Sequence, residues 1–203
     1  MKQKGLLIVV SSPSGAGKTT VCGELLSRYS DIFLSVSATT RAPRPGEVDG
    51  KDYWFLSPEV FEARVASQDF LEHATVFGQR YGTLRGPVEA QLSLGRDVLL
   101  DVDWQGGRAI SHRAKGPVVR VFILPPSVEE LRRRLEGRGT DASHVIDGRM
   151  ERARSEAQHW AEYDYVIVNR VVEETVRVLE SIRIAEHAKR VNQPDLFDWT
   201  ASL

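Results

Sequence analysis

The residues best suited to chemistry lie near the start of the chain. Gly15 and Gly17 allow successive backbone N–H groups to converge on one point, and such a cluster of N–H groups binds anions. Lys18 adds a mobile ammonium group for the outer phosphates of a nucleotide, and the Thr19 hydroxyl is placed to ligate Mg²⁺. The pattern predicts a loop that binds a nucleoside triphosphate through Ser12, Pro13, Ser14, Gly15, Ala16, Gly17, Lys18, Thr19 and Thr20.

The same stretch has two other interpretations. In the first, it is an ordinary turn between a strand and a helix, although the intact Gly17-Lys18-Thr19 and the predicted strand and helix on either side argue against this. A nucleophilic Ser14 in a GxSxG motif would need glycine where Ser12 and Ala16 stand. Ser12 also departs from the GxxxxGK[ST] pattern of phosphate loops, which begins with glycine.

The elements on either side must hold this loop in place. The apolar run that ends at Val10 predicts a strand buried on both faces, and a helical pattern extends from Val21 to about Tyr29. The strand therefore delivers the loop to the N-terminus of a helix, where the positive end of the helix dipole favours bound phosphate.

A second buried strand ends in carboxylates. The run from Asp97 to Asp103 resembles the Walker B strand of nucleotide-binding proteins. In such sites an aspartate at the carboxyl end of the strand faces Mg²⁺, directly or through water, and Asp101 is the first candidate here, with Asp103 the second. The alternative is that these carboxylates lie at the surface and cap the next helix.

Strands alternate with helices along the rest of the chain, which predicts an α/β fold with a parallel core sheet. Further core strands are predicted at 118–124 and 165–169, and an amphipathic closing helix runs from Val172 to about Val191. Strands are also predicted from 32 to 40 and from 51 to 56, and residues 34–86 form an inserted α+β lobe between the first helix and the second core strand.

Composition limits the partners of the chain. It has 203 residues, of which 41% are hydrophobic and 27% charged, and a net charge near −1. That charge provides no field for coating nucleic acid, so anions must be bound by local arginine clusters. The single Cys22 excludes an internal disulfide framework. We predict a cytoplasmic protein with no membrane span; the sequence leaves its oligomeric state and the role of the tail 192–203 open.

The chain resembles guanylate kinase over nearly its whole length. The motifs that carry the resemblance are the loop at 11–20, Ser37-Ala38-Thr39-Thr40-Arg41, Gly50-Lys51-Asp52-Tyr53, Phe70-Leu71-Glu72, Tyr81-Gly82-Thr83, Asp101-Val102-Asp103-Trp104-Gln105-Gly106, Gly137-Arg138-Gly139-Thr140 and Tyr163-Asp164-Tyr165-Val166-Ile167-Val168-Asn169. The resemblance implies a three-layer P-loop NTPase fold in one domain, with a core at 1–33, 87–125 and 164–203, a GMP-binding lobe at 34–86 and a helical lid at 126–163.

The resemblance also implies which residues bind GMP. Two arginines and two tyrosines would hold its phosphate, guanine would be selected by hydrogen bonds to N1 and the 2-amino group, and two further carboxylates would belong to the site. The matching residues are Arg41, Arg44, Tyr53 and Tyr81 for the phosphate, Ser37, Glu72 and Thr83 for the base, and Glu47 and Asp103 as the carboxylates. Guanidinium forks suit phosphate oxygens, and a carboxylate accepts both guanine donors, which adenine lacks. Read without the family, Glu72 would be a surface glutamate and the arginine loop a solvated face.

For the lid, the resemblance implies three arginines that meet the phosphates of ATP. Arg134 is then an ATP contact, and Arg138 and Arg149 act in catalysis with Lys18. The implied reaction converts ATP and GMP to ADP and GDP with Mg²⁺, and dGMP is a second candidate acceptor. Arg170, where the family commonly has an acidic residue, is a departure on the adenine side.

Two other functions stay open on sequence. Some guanylate-kinase-like modules bind phosphorylated partners without catalysis, but the intact Gly17-Lys18-Thr19 and Asp101 argue against that here. A kinase for another nucleoside monophosphate is the second alternative, and Ser37 and Glu72 argue against it.

Overall fold

The computed structural model describes residues 4–76, 78–137, 143–193 and 195–203, apart from the side chains of 143, 144, 197 and 198. In chain order the strands and helices are β1 (Leu7–Ser11), α1 (Lys18–Arg28), β2 (Ile32–Leu34), β3 (Ser37–Thr39), β4 (Trp54–Phe55), α2 (Pro58–Ala66), β5 (Phe70–Val76), β6 (Gln79–Leu84), α3 (Arg85–Ser93), β7 (Asp97–Asp101), α4 (Trp104–Arg113), β8 (Val118–Leu124), α5 (Val128–Glu136), α6 (Ser143–Ala157), β9 (Tyr165–Val168), α7 (Val172–Ala188) and α8 (Leu196–Ala201).

The core is a parallel sheet with helices on both faces. Its strands follow the order β2-β7-β1-β8-β9, and each neighbouring pair is parallel. Ile8 and Val10 of β1 face α1 and α7, whereas Leu7 and Val9 face α3 and α4. Because both faces are covered, all five residues of β1 are buried, as the apolar run predicts. The α/β three-layer fold is confirmed.

A second sheet has the strand order β4-β3-β6-β5 and its own small core. The strand β5 joins this lobe to the main core through an irregularity in its pairing between Phe70 and Glu72. Phe70 packs in the core of the lobe, while the adjacent Leu71 packs in the main core. The irregularity thus lets one short stretch serve both cores and leaves the following Glu72 buried.

The helices α5 and α6 form a pair beside the phosphate loop. They share an apolar cluster made of Leu131, Leu135, Ile146, Met150 and Ala153. Leu131 and Leu135 also lie against the loop, since a Cβ built on Gly15 would be 2.9 Å and 3.0 Å from their methyl groups. The proposed lid is therefore in packing contact with the loop.

The sequence predictions of several element boundaries are wrong. The predicted strand at 32–40 is divided into β2, which joins the core sheet, and β3, which joins the lobe. The predicted strand at 51–56 shrinks to β4, because a turn at 48–53 uses the backbone groups before it, with Gly50 at a φ of +75°. The strand β7 stops at Asp101, and α7 ends at Ala188.

Among the described residues, no helix has the length and apolar character needed to cross a membrane.

Candidate functional site

The phosphate loop connects β1 to the N-terminus of α1 and depends on glycine at two positions. Gly15 and Gly17 have φ values of +87° and +96°, in the left-handed region that other residues rarely adopt. At Gly17 there is also no space, because a Cβ would lie 2.6 Å from Nδ2 of Asn169. The two glycines are therefore required by the backbone, as the motif predicts.

The back of the loop is held by side chains from distant parts of the chain. The Ala16 carbonyl accepts hydrogen bonds from Nδ2 of Asn169 at 2.8 Å and from Nη1 of Arg134 at 3.1 Å. Asn169 is buried and accepts a hydrogen bond from the Thr175 hydroxyl at 3.0 Å. Arg134 is held in turn by Glu130, whose Oε1 lies 2.7 Å from its Nε. These contacts fix the peptide between Ala16 and Gly17.

Arg134 therefore has a structural contact that the sequence did not predict, and its contact with ATP stays a prediction. Sequence reasoning assigned no role to Asn169 or Thr175. The available signal was a polar residue directly after the predicted core strand at 165–169, because the carboxyl end of a parallel strand faces the ligand edge of such a sheet.

Lys18 lies between the ends of two neighbouring strands. Its Nζ is 2.5 Å from Oδ1 of Asp101 and donates a hydrogen bond to the Val102 carbonyl at 2.8 Å. The register pairs Val10 with Asp101, so the loop after β1 and the carboxylate at the end of β7 meet at the same edge. The sequence prediction that brings Lys18 and Asp101 together is consistent with this geometry.

The two aspartates after β7 have different environments. Asp101 is partly exposed beside Lys18, and the exposed Thr19 hydroxyl belongs to the first turn of α1. Asp103 instead caps α4, since its side chain accepts a hydrogen bond from the Gly106 N–H at 2.8 Å. For Asp103 the capping alternative is the observed arrangement. Asp101 and Thr19 offer the oxygen ligands that Mg²⁺ prefers, so they fit a metal held largely by phosphates and water.

The lobe brings three predicted guanine-binding residues side by side. The register pairs Ser37 with Thr83 and Thr83 with Glu72, across β3, β6 and β5. Glu72 is only 7% exposed and accepts a hydrogen bond from the Thr83 hydroxyl at 2.7 Å. Burial raises the pKa of Glu72, and the nearby Asp103 adds to the rise. A carboxylate can accept about four hydrogen bonds, so Glu72, which accepts them from Thr83, retains capacity for further donors.

Of the four predicted phosphate-binding residues, Arg41, Arg44 and Tyr53 lie between β3 and β4, and Tyr81 lies on β6. Nη2 of Arg41 contacts Oε1 of Glu47 at 2.8 Å, and Oε2 of Glu47 accepts a hydrogen bond from the Arg44 N–H at 2.7 Å. The Arg41 guanidinium lies 5.3 Å from the centre of the Tyr53 ring, which meets the Tyr81 ring edge-on at 6.1 Å. Glu47 thus holds the guanidinium of Arg41 and the backbone of Arg44, and its hydrogen bond with Arg41 lowers the pKa of Glu47.

The predicted lid segment contributes a carboxylate to the edge of the loop. Oε2 of Glu156, in the last turn of α6, accepts a hydrogen bond from the Ser14 N–H at 3.0 Å. Arg149 lies two turns earlier on the same helix and makes contacts of its own. Arg138, the other predicted catalytic arginine, lies outside the described residues.

The described residues thus offer two candidate anion sites of different construction. One is a glycine loop at the start of a helix, and the other is a group of arginine, tyrosine and glutamate side chains on an inserted sheet. A parallel sheet with this loop, this lysine and an aspartate on the adjacent strand defines a P-loop nucleotide-binding protein of the α/β class.

Comparisons with known proteins give the particular family. The guanylate kinase family model matches residues 4–186. The chain is 52% identical over 203 residues to a guanylate kinase of Paramagnetospirillum magneticum, covering 100% of this chain and 95% of that protein. It is 51% identical over 203 residues to one of Novosphingobium aromaticivorans, covering 100% and 92%. A crystal structure of guanylate kinase from Anaplasma phagocytophilum, 40% identical, matches with a TM-score of 0.77 over 95% of this chain and 91% of the other. The chain belongs to the guanylate kinase family, and this membership makes it a nucleoside monophosphate kinase.

Proposed function

We propose that the chain transfers the γ-phosphoryl group of ATP to GMP, giving ADP and GDP, and that its physiological setting is purine nucleotide metabolism in the cytoplasm. The observation that carries the proposal is the buried Glu72, with Ser37 and Thr83 beside it, on a lobe that also presents Arg41. A carboxylate in that position suits the N1 and 2-amino donors of guanine, and a guanidinium suits the phosphate of the same nucleotide.

Selectivity for guanine would follow from the cost of leaving Glu72 without donors. Adenine has no 2-amino group and no proton on N1, so AMP would bury the Glu72 carboxylate against an acceptor. Leaving a buried charged group unpaired costs about 1–3 kcal/mol or more, which corresponds to about a fivefold to more than a hundredfold preference. The Thr83 hydroxyl keeps the Glu72 carboxylate oriented through its 2.7 Å hydrogen bond.

On the ATP side, the loop N–H groups and Lys18 would bind the phosphates and stabilise charge as it moves from the γ-phosphoryl group to ADP. Thr19 and Asp101 would hold Mg²⁺, which supplies further positive charge to the phosphates when bound. Asp101 already contacts Lys18 at 2.5 Å, so its carboxylate is directed towards this region. We assign Arg149 and Arg138 to the transferred phosphoryl group, as the family resemblance implies.

No general base is required in this scheme, because the attacking GMP phosphate oxygen is already anionic at neutral pH. The protein must instead hold two polyanions in line and keep water from accepting the phosphoryl group. We propose that residues 34–86 and 126–163 close over the core for this purpose when both nucleotides are bound.

A coupled assay of ADP release tests the proposal, with ATP and Mg²⁺ against GMP, dGMP, AMP, UMP and dTMP in parallel. We expect GMP to give the highest kcat/KM. A protein that binds ATP and GMP but releases no ADP would instead be a binding module, and preference for another acceptor would remove Glu72 from base recognition.

A further inference from the structure

The contact between Glu156 and the phosphate loop places a carboxylate where phosphate is expected. Its Oε2 accepts a hydrogen bond from the Ser14 N–H at 3.0 Å. Ser14 is one of the loop residues whose N–H groups form the anion cradle, and hydrogen bonds from such groups to an anion are stronger than neutral ones. One donor of the cradle is therefore satisfied by the protein itself.

The position of Glu156 is set by packing, because its helix is anchored next to the loop. Ala153, one turn earlier on α6, is completely buried against α5. The same cluster includes Leu131 and Leu135, whose methyl groups lie against Gly15. The pair of helices therefore meets the loop at two points, an apolar contact from α5 and a polar contact from Glu156 of α6.

Glu156 also shares a helix face with Arg149. The two residues are seven positions apart on α6, which is close to two full turns. Any movement that withdraws Glu156 from the loop therefore displaces the face that carries a predicted phosphate-binding arginine. A polyphosphate in the loop would repel the Glu156 carboxylate and attract the Arg149 guanidinium.

We propose that Glu156 is a phosphate mimic that competes with the ATP phosphates for the loop and restrains the lid until they displace it. The proposal rests on the proposed function, since it assigns ATP to this loop. The phosphates and the Glu156 carboxylate are both anions directed at the same N–H group, so they exclude one another. ATP binding then frees α6 from this contact, and the helix takes up the position in which the lid closes and Arg149 meets the phosphates.

Binding measurements without Mg²⁺ and without GMP test this directly. We would determine Kd by calorimetry for ATP, inorganic pyrophosphate and adenosine with the wild type, Glu156→Gln and Glu156→Ala. Loss of one charge-assisted competitor at a partly exposed site predicts roughly threefold to tenfold tighter binding of ATP and pyrophosphate in both variants. Adenosine has no phosphate, so its Kd is expected to stay the same.

Glu151→Gln is the matched control, because Glu151 is an exposed glutamate on the same helix and its replacement removes the same charge. We expect it to leave all three Kd values within twofold. Hydrogen exchange of the Ser14 amide provides a local readout, and it should become faster in Glu156→Ala at an unchanged melting temperature.

Unchanged or weaker ATP binding in both Glu156 variants would overturn the proposal, and so would equal tightening in Glu151→Gln, which would indicate a general effect of charge. A protein that fails to phosphorylate GMP but shows the expected Kd changes would contradict the proposed function and leave the phosphate mimic in place.

Discussion

The two proposed nucleotide sites of this protein are built from different chemical groups. In the phosphate loop the donors are backbone N–H groups, and the residues that support them, Asn169 and Arg134, come from far along the chain. In the lobe the donors and acceptors are side chains, and their main support, Glu47, is six residues from Arg41 on the same loop. The phosphate loop is held from behind by long-range contacts, whereas the arginine loop of the lobe is held by a glutamate of the same loop.

The two kinds of construction suit different kinds of recognition. Backbone N–H groups fixed by glycine geometry bind any phosphate and need no selectivity for the base. A buried carboxylate such as Glu72 distinguishes one base from another, but its desolvation is unfavourable for the free protein. We therefore expect changes in the loop to affect turnover, and changes in the lobe to affect substrate choice and stability.

The largest expected effect is on turnover, and it comes from replacing Lys18, the charged side chain of the loop. Lys18→Ala should lower kcat by about 10²- to 10³-fold, because charge on the transferred group loses its nearest ammonium. GMP affinity, measured by calorimetry, should change less than twofold, since the lobe is intact. Lys115→Ala, at an exposed lysine after α4, is the control. Normal turnover in Lys18→Ala would refute its role.

The next effect concerns substrate choice. Glu72→Gln should lower the ratio of kcat/KM for GMP over AMP by about 10-fold to 100-fold, because an amide cannot accept both guanine donors as a carboxylate does. Parallel coupled assays with the two acceptors measure this ratio. The control is Glu89→Gln, which removes a more exposed carboxylate on α3. If the ratio is unaltered, Glu72 has no part in base recognition.

The difference between the two sites also explains how far each one could be predicted from the sequence. The loop has a local signature, since Gly15, Gly17, Lys18 and Thr19 are adjacent in the chain, and its flanking strand and helix have clear periodicity. The supporting role of Asn169 has no local signature, because it depends on the carboxyl ends of β1 and β9, which are separated by β8, lying on the same side of the sheet. That arrangement is set by strand order, which apolar patterns do not encode.

The guanine-binding residues of the lobe could be predicted only from the family resemblance, since the register of a sheet brings them together. Ser37, Thr83 and Glu72 are separated by up to 46 positions, and only the pairing of β3, β6 and β5 brings them together. The same limit explains the wrong boundary at 32–40, where one β-rich run supplies strands to two sheets. Local propensity identifies a strand but not the sheet that it joins.

A third prediction tests the long-range support of the loop. Asn169→Ala removes the 2.8 Å hydrogen bond to the Ala16 carbonyl and should raise KM for ATP about tenfold, with KM for GMP unchanged. Thr175→Val removes only the partner of Asn169 and should have a smaller effect in the same direction. Steady-state kinetics with each nucleotide varied in turn separate the two KM values. Equal increases in both would mean general loosening of the fold.

The smallest expected effect is on the free energy of unfolding, and it tests whether Glu72 lacks hydrogen-bond donors in the free protein. The pKa of Glu72 in the folded protein lies above its ordinary value of 4.5, mainly because of burial. A raised pKa means that the folded state binds a proton more tightly than the unfolded state. The contribution of Glu72 to stability is therefore most favourable below pH 4.5 and is lost as pH rises through the folded pKa.

Glu72→Gln removes this titration, so without nucleotide the variant should gain on the wild type as pH rises from 4.5 towards 7. At pH 7 we expect a difference of about 1 kcal/mol, or about 2–4 °C in Tm, with the variant more stable. Thermal unfolding across this pH range measures it, and GMP should reverse the order at pH 7 because it supplies donors to the wild-type carboxylate. A variant that is less stable than the wild type at pH 7 without GMP would show that Glu72 already has enough donors within the protein. The lobe would then resemble the loop in being satisfied before its nucleotide arrives.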